Sequence, residues 1–311
     1  MRLVGASMVR NEADIIEAFV RHNLRLLDGL AVVDHLSIDG TSQILARLQA
    51  EGLPLRVARS AEPAYRQSDT MTALVREALS ADGADFVFAI DADEFLKVES
   101  RAALERALSD VPPNIHAAMH WLTYVPDAFA NAGEFGPGHL WWRLKTERHK
   151  LRKVIVGRSL LERSDDVLAT GSHVVLTGGD SSKIQPHALL RQDAVALAHC
   201  PVRSRAQLEG KIIVGYLAHL AAGVNGAHHW RALYAELRDG ATLTEDHLRE
   251  IACNYGLPRE MWRPPTEIDL IEDPVPLDPA ERRYASDACP DALRLLMHYT
   301  EGLIASRPPL S

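Results

Sequence analysis

The sequence predicts an α/β fold with a mostly parallel central sheet and helices on both faces. Over the first 110 residues, short apolar runs alternate with amphipathic helical patterns, as expected for repeated strand–helix units. From Ser204 onward the chain reads as mainly helical. Ligands of such sheets bind outside the carboxyl ends of the strands, so the residues that follow each apolar run are the first candidates for function.

The first four strands and helices follow from these runs. The segment RLVGASMV reads as a buried strand that ends before Arg10, and the next segment places Ile15, Ile16 and Phe19 on one helical face. Gly52 is a natural helix stop, and Ser68 or Asp69 is a natural N-cap. Strands are predicted at 2–9, 29–37, 54–60 and 84–90, and helices at 13–27, 42–51, 68–83 and 100–110.

The alternation of strands and helices is less regular after residue 113. A Gly- and Pro-rich loop at 126–140 is long enough to indicate a function. Further strands are predicted at 116–125, 150–157, 172–178 and 194–200, and further helices at 204–221, 228–238, 244–254 and 290–306. We expect two units: an α/β domain over 1–224 and a mainly helical C-terminal extension over 225–311.

Composition limits the class of protein. The formal net charge of −8 argues against a nucleic-acid partner, which would require a basic face. The three cysteines are far apart and contain no CxxC motif, so neither a disulfide framework nor a cysteine zinc site is expected. Neither a signal peptide nor an apolar run of about 18 residues is evident. We therefore expect a cytoplasmic protein without a transmembrane segment, and peripheral contact with a membrane is left open.

The stretch FVFAIDADEF places carboxylates directly after the fourth strand. Asp91 and Asp93 are two residues apart, so in an extended segment they point to the same side and need a counter-charge. Mn²⁺ or Mg²⁺ would supply it, because both prefer oxygen ligands. Two alternatives are a solvated turn and a phosphatase-type DxDxT nucleophile. The second alternative requires threonine at position 95, where Phe95 stands.

Four segments together carry a resemblance to a known family. They are MVRNEADIIEAFVRHNL, VVDHLSIDGTSQIL, FVFAIDADEFL and AHCPVRSRAQLEGKIIVG, in this order. The chain resembles family 2-like glycosyltransferases of the GT-A fold, in the branch with an N-terminal VRNE, a DGT turn, a DxD motif and a late HxPxRS segment. The resemblance covers roughly residues 3–220, and the tail from about 225 has no counterpart in it.

The resemblance implies roles for individual residues. Asp34 would accept the imide N–H of a uracil or guanine base. His35, which follows it, departs from the family pattern. The metal ligands would be Asp91, Asp93 and His199. Residues implied to bind the nucleotide-sugar are Ser7, Val9, Arg10, Glu12, Asp34, Asp39, Arg66, Asp91, Arg203 and Lys211.

Sugar transfer also needs a base that deprotonates the acceptor hydroxyl. Glu134, Glu147 and Asp180 are candidates, and Glu134 is preferred because it lies in the 126–140 loop. Trp141 and Trp142 follow this loop. They suit either a stacking platform for a sugar ring or an anchor in the core.

The expected function is a metal-dependent, inverting glycosyltransferase. The donor would be a nucleotide-diphosphate sugar of the UDP or GDP type. The acceptor would be a glycan, a lipid or another hydroxyl compound. A nucleotidyl- or phosphoryl-transferring enzyme on a similar sheet, and a non-catalytic protein that binds nucleotide-sugars, are the alternatives.

Overall fold

The computed structural model describes residues 1–129, 135–223, 228–278, 281–284 and 291–306. Its strands are β1 Leu3–Val9, β2 Gly29–His35, β3 Leu55–Ser60, β4 Phe86–Ala89, β5 Glu94–Lys97, β6 His116–Thr123, β7 Trp142–Leu144, β8 Arg152–Gly157, β9 Val167–Leu168, β10 Val175–Leu176, β11 His187–Leu189, β12 Ala196–His199 and β13 Leu270–Glu272. Its helices are α1 Ile16–Leu24, α2 Thr41–Ala50, α3 Gln67–Ser80, α4 Arg101–Ser109, α5 Arg205–Ala221, α6 His228–Arg238, α7 Glu245–Cys253 and α8 Ala292–Ala305.

The main sheet has nine strands in the described part of the chain. Its order is β3-β2-β1-β4-β8-β6-β12-β5, with β11 paired to β6. The pairs β1–β2, β2–β3, β1–β4, β6–β12 and β6–β11 are parallel, and the pairs made by β8 and β5 are antiparallel. The predicted α/β class with a mostly parallel sheet is therefore confirmed.

Helices cover both faces of this sheet. On one face, α1, α2 and α4 contribute Phe19, Leu45 and Leu104 to a buried apolar cluster. On the other face, α3 contributes Leu74 and Val75 to a second cluster against β1 and β4. The near-continuous apolar sequence of β1 and β4 follows from this arrangement, because a strand covered on both faces needs apolar side chains in both directions.

Some of the helix ends lie where the sequence predicts them. Gly52 follows the last turn of α2 with a φ of 82°, a left-handed conformation that glycine adopts without strain. Ser204 caps α5 by accepting a hydrogen bond from the backbone N–H of Gln207. The predicted caps of α3 are wrong, because this helix begins at Gln67, and the Ser68 hydroxyl donates to the carbonyl of Leu168 instead.

Strand β5 was not expected, since only four residues separate it from the end of β4. It runs antiparallel to β12, and in this register Glu94 lies opposite His199. The backbone N–H of Cys200 also donates to the carbonyl of Asp93 at 2.9 Å. The pairing therefore brings the Asp91–Glu94 turn beside the end of β12, about 100 residues later in the chain.

The C-terminal helices pack on α5 through its glycines. A Cβ built on Gly215 would lie 2.2 Å from the indole of Trp230 in α6, and one built on Gly210 would lie 2.5 Å from Leu295 in α8. These helices agree with the mainly helical tail, although the predicted boundary at 224–225 falls at residues outside the described part of the chain. Every described helix is too short or too polar to cross a membrane.

We expect the substitution Gly215→Ala to destabilise the protein by about 1–3 kcal/mol, because the rigid indole of Trp230 occupies the space that the new methyl group needs. The measurement is the free energy of unfolding in urea. Gly302→Ala in α8 is the matched control. No atom lies within 4 Å of the position that a Cβ would take there, so this substitution should be neutral or stabilising, by up to about 1 kcal/mol. Equal effects of the two substitutions would contradict the close packing of α6 on α5.

Candidate functional site

A cavity of about 360 Å³ opens at the carboxyl ends of the central strands. Met8, Val9 and Arg10 line it at the end of β1, and Asp91 and Asp93 line it after β4. One side of α5 forms a wall through Gln207, Gly210, Lys211, Val214, Gly215, Ala218 and His219. The C-terminal segments complete the cavity with Trp230, Tyr255, Gly256 and Leu295. The size and location are those of a small-molecule site in an α/β sheet.

Asp93 is buried among positive groups. Its Oδ2 accepts a hydrogen bond from Lys211 Nζ at 2.5 Å and lies 3.7 Å from His199 Nε2 and 3.9 Å from Arg203 Nη1. Burial alone would raise the pKa of Asp93, but Lys211, His199 and Arg203 outweigh it and hold this pKa well below its usual range. Asp93 is thus a stable carboxylate at any physiological pH.

Arg203 connects the end of β12 to the turn after β1. Its Nε lies 2.6 Å from Asp14 Oδ2, its Nη2 lies 2.5 Å from Glu12 Oε2, and its side chain is 1% exposed. Burial raises the pKa of Glu12 to about 7, although Arg203 and Lys211 oppose the rise. Arg203 does not line the cavity, so its charge fixes the acidic residues in place and is not presented to a ligand.

A second lysine holds the other side of the Asp91–Glu94 turn. Lys153, in β8, is fully buried, and its Nζ lies 2.6 Å from Asp91 Oδ2 and 3.0 Å from the Glu94 carboxylate. Glu94 in turn accepts the backbone N–H of Asp91 at 2.7 Å. Burial raises the pKa of Glu94 to about 8 against the opposing charge of Lys153. The strand predicted at 150–157 therefore turns Lys153 inward.

The three predicted metal ligands converge in part. Asp93 and His199 lie together, whereas Asp91 faces Lys153. Within the described ranges, no group of three or more acidic, histidine or cysteine side chains is arranged to hold a metal ion. The carboxylate and imidazole of Asp93 and His199 nevertheless suit Mn²⁺ or Mg²⁺, and a hard divalent ion commonly takes its remaining ligands from water and substrate phosphates.

The predicted nucleotide residues divide between cavity and scaffold. Arg10 lines the cavity, and its guanidinium lies 4.9 Å from the centre of the Tyr299 ring. Its Nε is buried without a hydrogen-bond partner, and burial lowers the pKa of Arg10 to about 10. The structure places Val9, Arg10, Glu12, Asp91, Asp93, His199 and Lys211 along the cavity, and places Ser7, Asp34, Asp39, Arg66 and Arg203 outside its lining.

Two of the residues outside the lining organise the loops that follow the strands. Asp34 accepts hydrogen bonds from the Ser37 backbone and the Ser42 hydroxyl. Asp39 accepts from the backbone N–H of Ala13 at 2.9 Å and from the Thr41 hydroxyl at 2.6 Å. Asp34 thus holds together the segment that follows β2, whereas Asp39 joins this segment to the turn after β1 that carries Arg10 and Glu12.

The candidate bases lie away from the cavity or outside the described residues. Glu134, the preferred base, lies outside them. Glu147 binds His149 at 3.1 Å and accepts the backbone N–H of Thr123, and Asp180 pairs with Lys183 on the surface. Trp141 and Trp142 do not line the cavity either.

Sequence reasoning missed the aromatic side chains of the cavity. Trp121 in β6 packs against His199 in a tilted arrangement with ring centroids 4.0 Å apart, and Tyr65 stacks on His219 at 4.4 Å. Trp230 and Tyr255 come from the region that had no assigned role. A buried tryptophan within an apolar strand has the pattern of an ordinary core residue, so no local signal distinguished Trp121.

The sequence comparisons found no matching family model and no matching curated protein. Among solved structures, S. aureus TarS residues 1-349 shares 15% identity, with a TM-score of 0.40 over 76% of this chain and 71% of that chain. Mannosyltransferase PcManGT from Pyrobaculum calidifontis, in complex with GDP-Man and Mn²⁺, shares 18%, with a TM-score of 0.37 over 76% and 79%. Glucosyl-3-phosphoglycerate synthase from Mycobacterium tuberculosis, in complex with Mn²⁺, UDP and glucosyl-3-phosphoglycerate, shares 23%, with a TM-score of 0.26 over 39% and 43%. Such low similarity says nothing about activity.

Replacing Lys153 with methionine should destabilise the protein by about 3–5 kcal/mol, because Asp91 and Glu94 lose the cation that compensates their buried charge. The free energy of unfolding in urea measures this cost. Lys145→Met is the matched control, since Lys145 is 60% exposed and pairs with Asp269 at 3.4 Å. Its loss should cost less than about 1 kcal/mol. If Lys153→Met also cost less than about 1 kcal/mol, the compensating role of this lysine would be contradicted.

Proposed function

We propose that the protein transfers a sugar from a nucleotide-diphosphate donor to a hydroxyl acceptor. The observation that carries this proposal is the meeting of Asp93, His199, Lys211 and Arg10 at one cavity at the carboxyl ends of the strands. A carboxylate and an imidazole suited to a divalent ion, with Lys211 beside them and Arg10 lining the same cavity, match the charge of a leaving diphosphate.

The strand order supports a division of the cavity into two parts. Arg10 and His35 lie at the ends of β1 and β2, on one side of Asp91 and Asp93, where the donor nucleotide would bind. Trp121 and Leu151, from β6 and the start of β8, lie on the other side, where the acceptor would bind. Asp93 and Lys211 lie between these parts, at the position that the proposal gives to the diphosphate.

Unpartnered polar atoms at the cavity also support a polar ligand. Arg10 Nε, Trp121 Nε1 and His199 Nδ1 are buried without hydrogen-bond partners among the described residues. Leaving a buried donor or acceptor unsatisfied costs about 1–3 kcal/mol, so these atoms favour a bound molecule that supplies partners.

A divalent metal, Mn²⁺ or Mg²⁺, is part of the proposal. Asp93 and His199 would hold it, and when bound it would neutralise charge on the departing diphosphate. Lys211 adds a fixed positive charge at the same position, since it lines the cavity while bound to Asp93. Lys153 keeps Asp91 beside this site without reaching the cavity itself.

The test is a thermal-shift titration of the protein with UDP and GDP, with and without Mn²⁺. A nucleoside diphosphate at 100 times its Kd should stabilise the protein by about 2.7 kcal/mol, with a matching rise in Tm. In Asp93→Asn this rise should disappear, because the variant loses the charged oxygen ligand. Asp193→Asn is the control, since Asp193 is 68% exposed and pairs only locally with Arg191. It should respond like the wild type.

Two outcomes would change this proposal. The absence of any response of the wild-type protein to UDP and GDP would reject it. A response that persists in EDTA would show that the metal is not needed for binding. The proposal would then lose the metal and keep nucleotide binding. Incubation with a nucleotide-sugar then separates sugar transfer from nucleotidyl transfer, because the first releases a nucleoside diphosphate and the second would release pyrophosphate.

A further inference from the structure

His173 lies on the acceptor side of the cavity with a defined ring orientation. It belongs to the turn between β9 and β10 and lines the cavity together with Trp121 and Leu151. Its Nδ1 is 2.8 Å from the carbonyl oxygen of Arg152. Because a carbonyl only accepts hydrogen bonds, Nδ1 carries the proton and Nε2 retains its lone pair.

The turn that carries His173 is tied to the Asp91 side of the site. Gly171 has a φ of 82°, and its N–H donates to Gln67 Oε1 at 2.7 Å. A Cβ on Gly171 would lie 2.8 Å from His173 Nε2, so a glycine at this position leaves that nitrogen accessible. The Gln67 amide also lies 3.4 Å from Asp91 Oδ1. Backbone conformation and hydrogen bonds together therefore set the position of Nε2.

The carboxylates of the cavity are already engaged by cations. Glu12, at the β1 side of the cavity, lies 2.5 Å from Arg203, Asp91 lies 2.6 Å from Lys153, and Asp93 lies 2.5 Å from Lys211. Each of these ion pairs occupies a carboxylate oxygen and fixes its orientation. His199 has its Nε2 directed at Asp93, which leaves it in the proposed metal site.

The surroundings of His173 keep its imidazole neutral. Burial lowers the pKa of His173 to about 4, with Lys153 adding to the shift. The groups that face it are Lys153 and the Arg152 carbonyl from β8, Asp91 after β4, His149 before β8, and the Trp121 ring, whose centroid lies 5.5 Å away. At pH 7 the ring is therefore neutral, and its Nε2 is unprotonated.

We propose that His173 is the general base for the acceptor, an inference that rests on the proposed function. Nε2 takes the proton of the acceptor hydroxyl as its oxygen forms a bond to the anomeric carbon. The bond from that carbon to the phosphate oxygen breaks, and the nucleoside diphosphate leaves with the electron pair. The Arg152 carbonyl stabilises the imidazolium through Nδ1–H.

The experiment uses water as the acceptor, so that the natural one is not needed. UDP-glucose, UDP-N-acetylglucosamine and GDP-mannose are each incubated with the full chain and Mn²⁺, and released UDP or GDP is quantified. His173→Gln should lower kcat for hydrolysis by about 10²–10⁴-fold, with the Kd for UDP or GDP unchanged within twofold. In His173→Ala, added imidazole should raise the residual hydrolysis rate at least tenfold. His120→Ala is the control, because His120 precedes Trp121 in β6 and points to the other face of the sheet.

The outcomes separate this inference from the proposed function. If the wild type hydrolyses a nucleotide-sugar and His173→Gln retains a third or more of that rate, His173 is not the base and the proposed function stands. Loss of nucleotide binding or a lowered Tm in both His173 variants, without rescue by imidazole, would assign His173 a structural role and overturn the inference. If the wild type neither binds UDP or GDP nor hydrolyses the three sugars, the proposed function fails and the inference fails with it.

Discussion

Charge compensation around the Asp91–Glu94 turn is the constraint on which the rest of the site depends. Five carboxylates meet three cations here, and the cations come from β8, the segment after β12, and α5. The five acids are Glu12, Asp14, Asp91, Asp93 and Glu94, and the three cations are Lys153, Arg203 and Lys211. Each ion pair therefore also joins elements that are far apart in the chain.

The excess of acids over cations has a chemical consequence. Burial raises the pKa of Glu12 to about 7 and that of Glu94 to about 8, so protons compensate part of the excess near neutral pH. Binding a diphosphate would add further negative charge to this region. A divalent ion at Asp93 and His199 is consistent with that need, because it adds positive charge at the point where the diphosphate would lie.

The C-terminal region completes the cavity instead of standing apart from it. Trp230 and Leu295 pack on Gly215 and Gly210 of α5, and both line the cavity. The Tyr299 ring covers the Arg10 guanidinium, and its hydroxyl donates to the Pro63 carbonyl at 3.3 Å. The tail that had no counterpart in the resemblance therefore contributes directly to the walls around the proposed nucleotide position.

The sequence by itself determined the alternation of strands and helices, the mostly parallel sheet, and the position of Asp91 and Asp93 after the fourth strand. These features depend on local periodicity and on glycine and capping residues, which act over a few positions. It also singled out His199, Arg203 and Lys211, although it could not separate residues that line the cavity from those that hold them. Only the tertiary structure decided that Lys153 turns inward to Asp91, that Arg203 is buried away from the cavity, and that Trp121 and His173 line the cavity. The physical reason is that burial and ion pairing depend on strand order and on register, such as the pairing of β5 with β12, and these join segments up to about 100 residues apart.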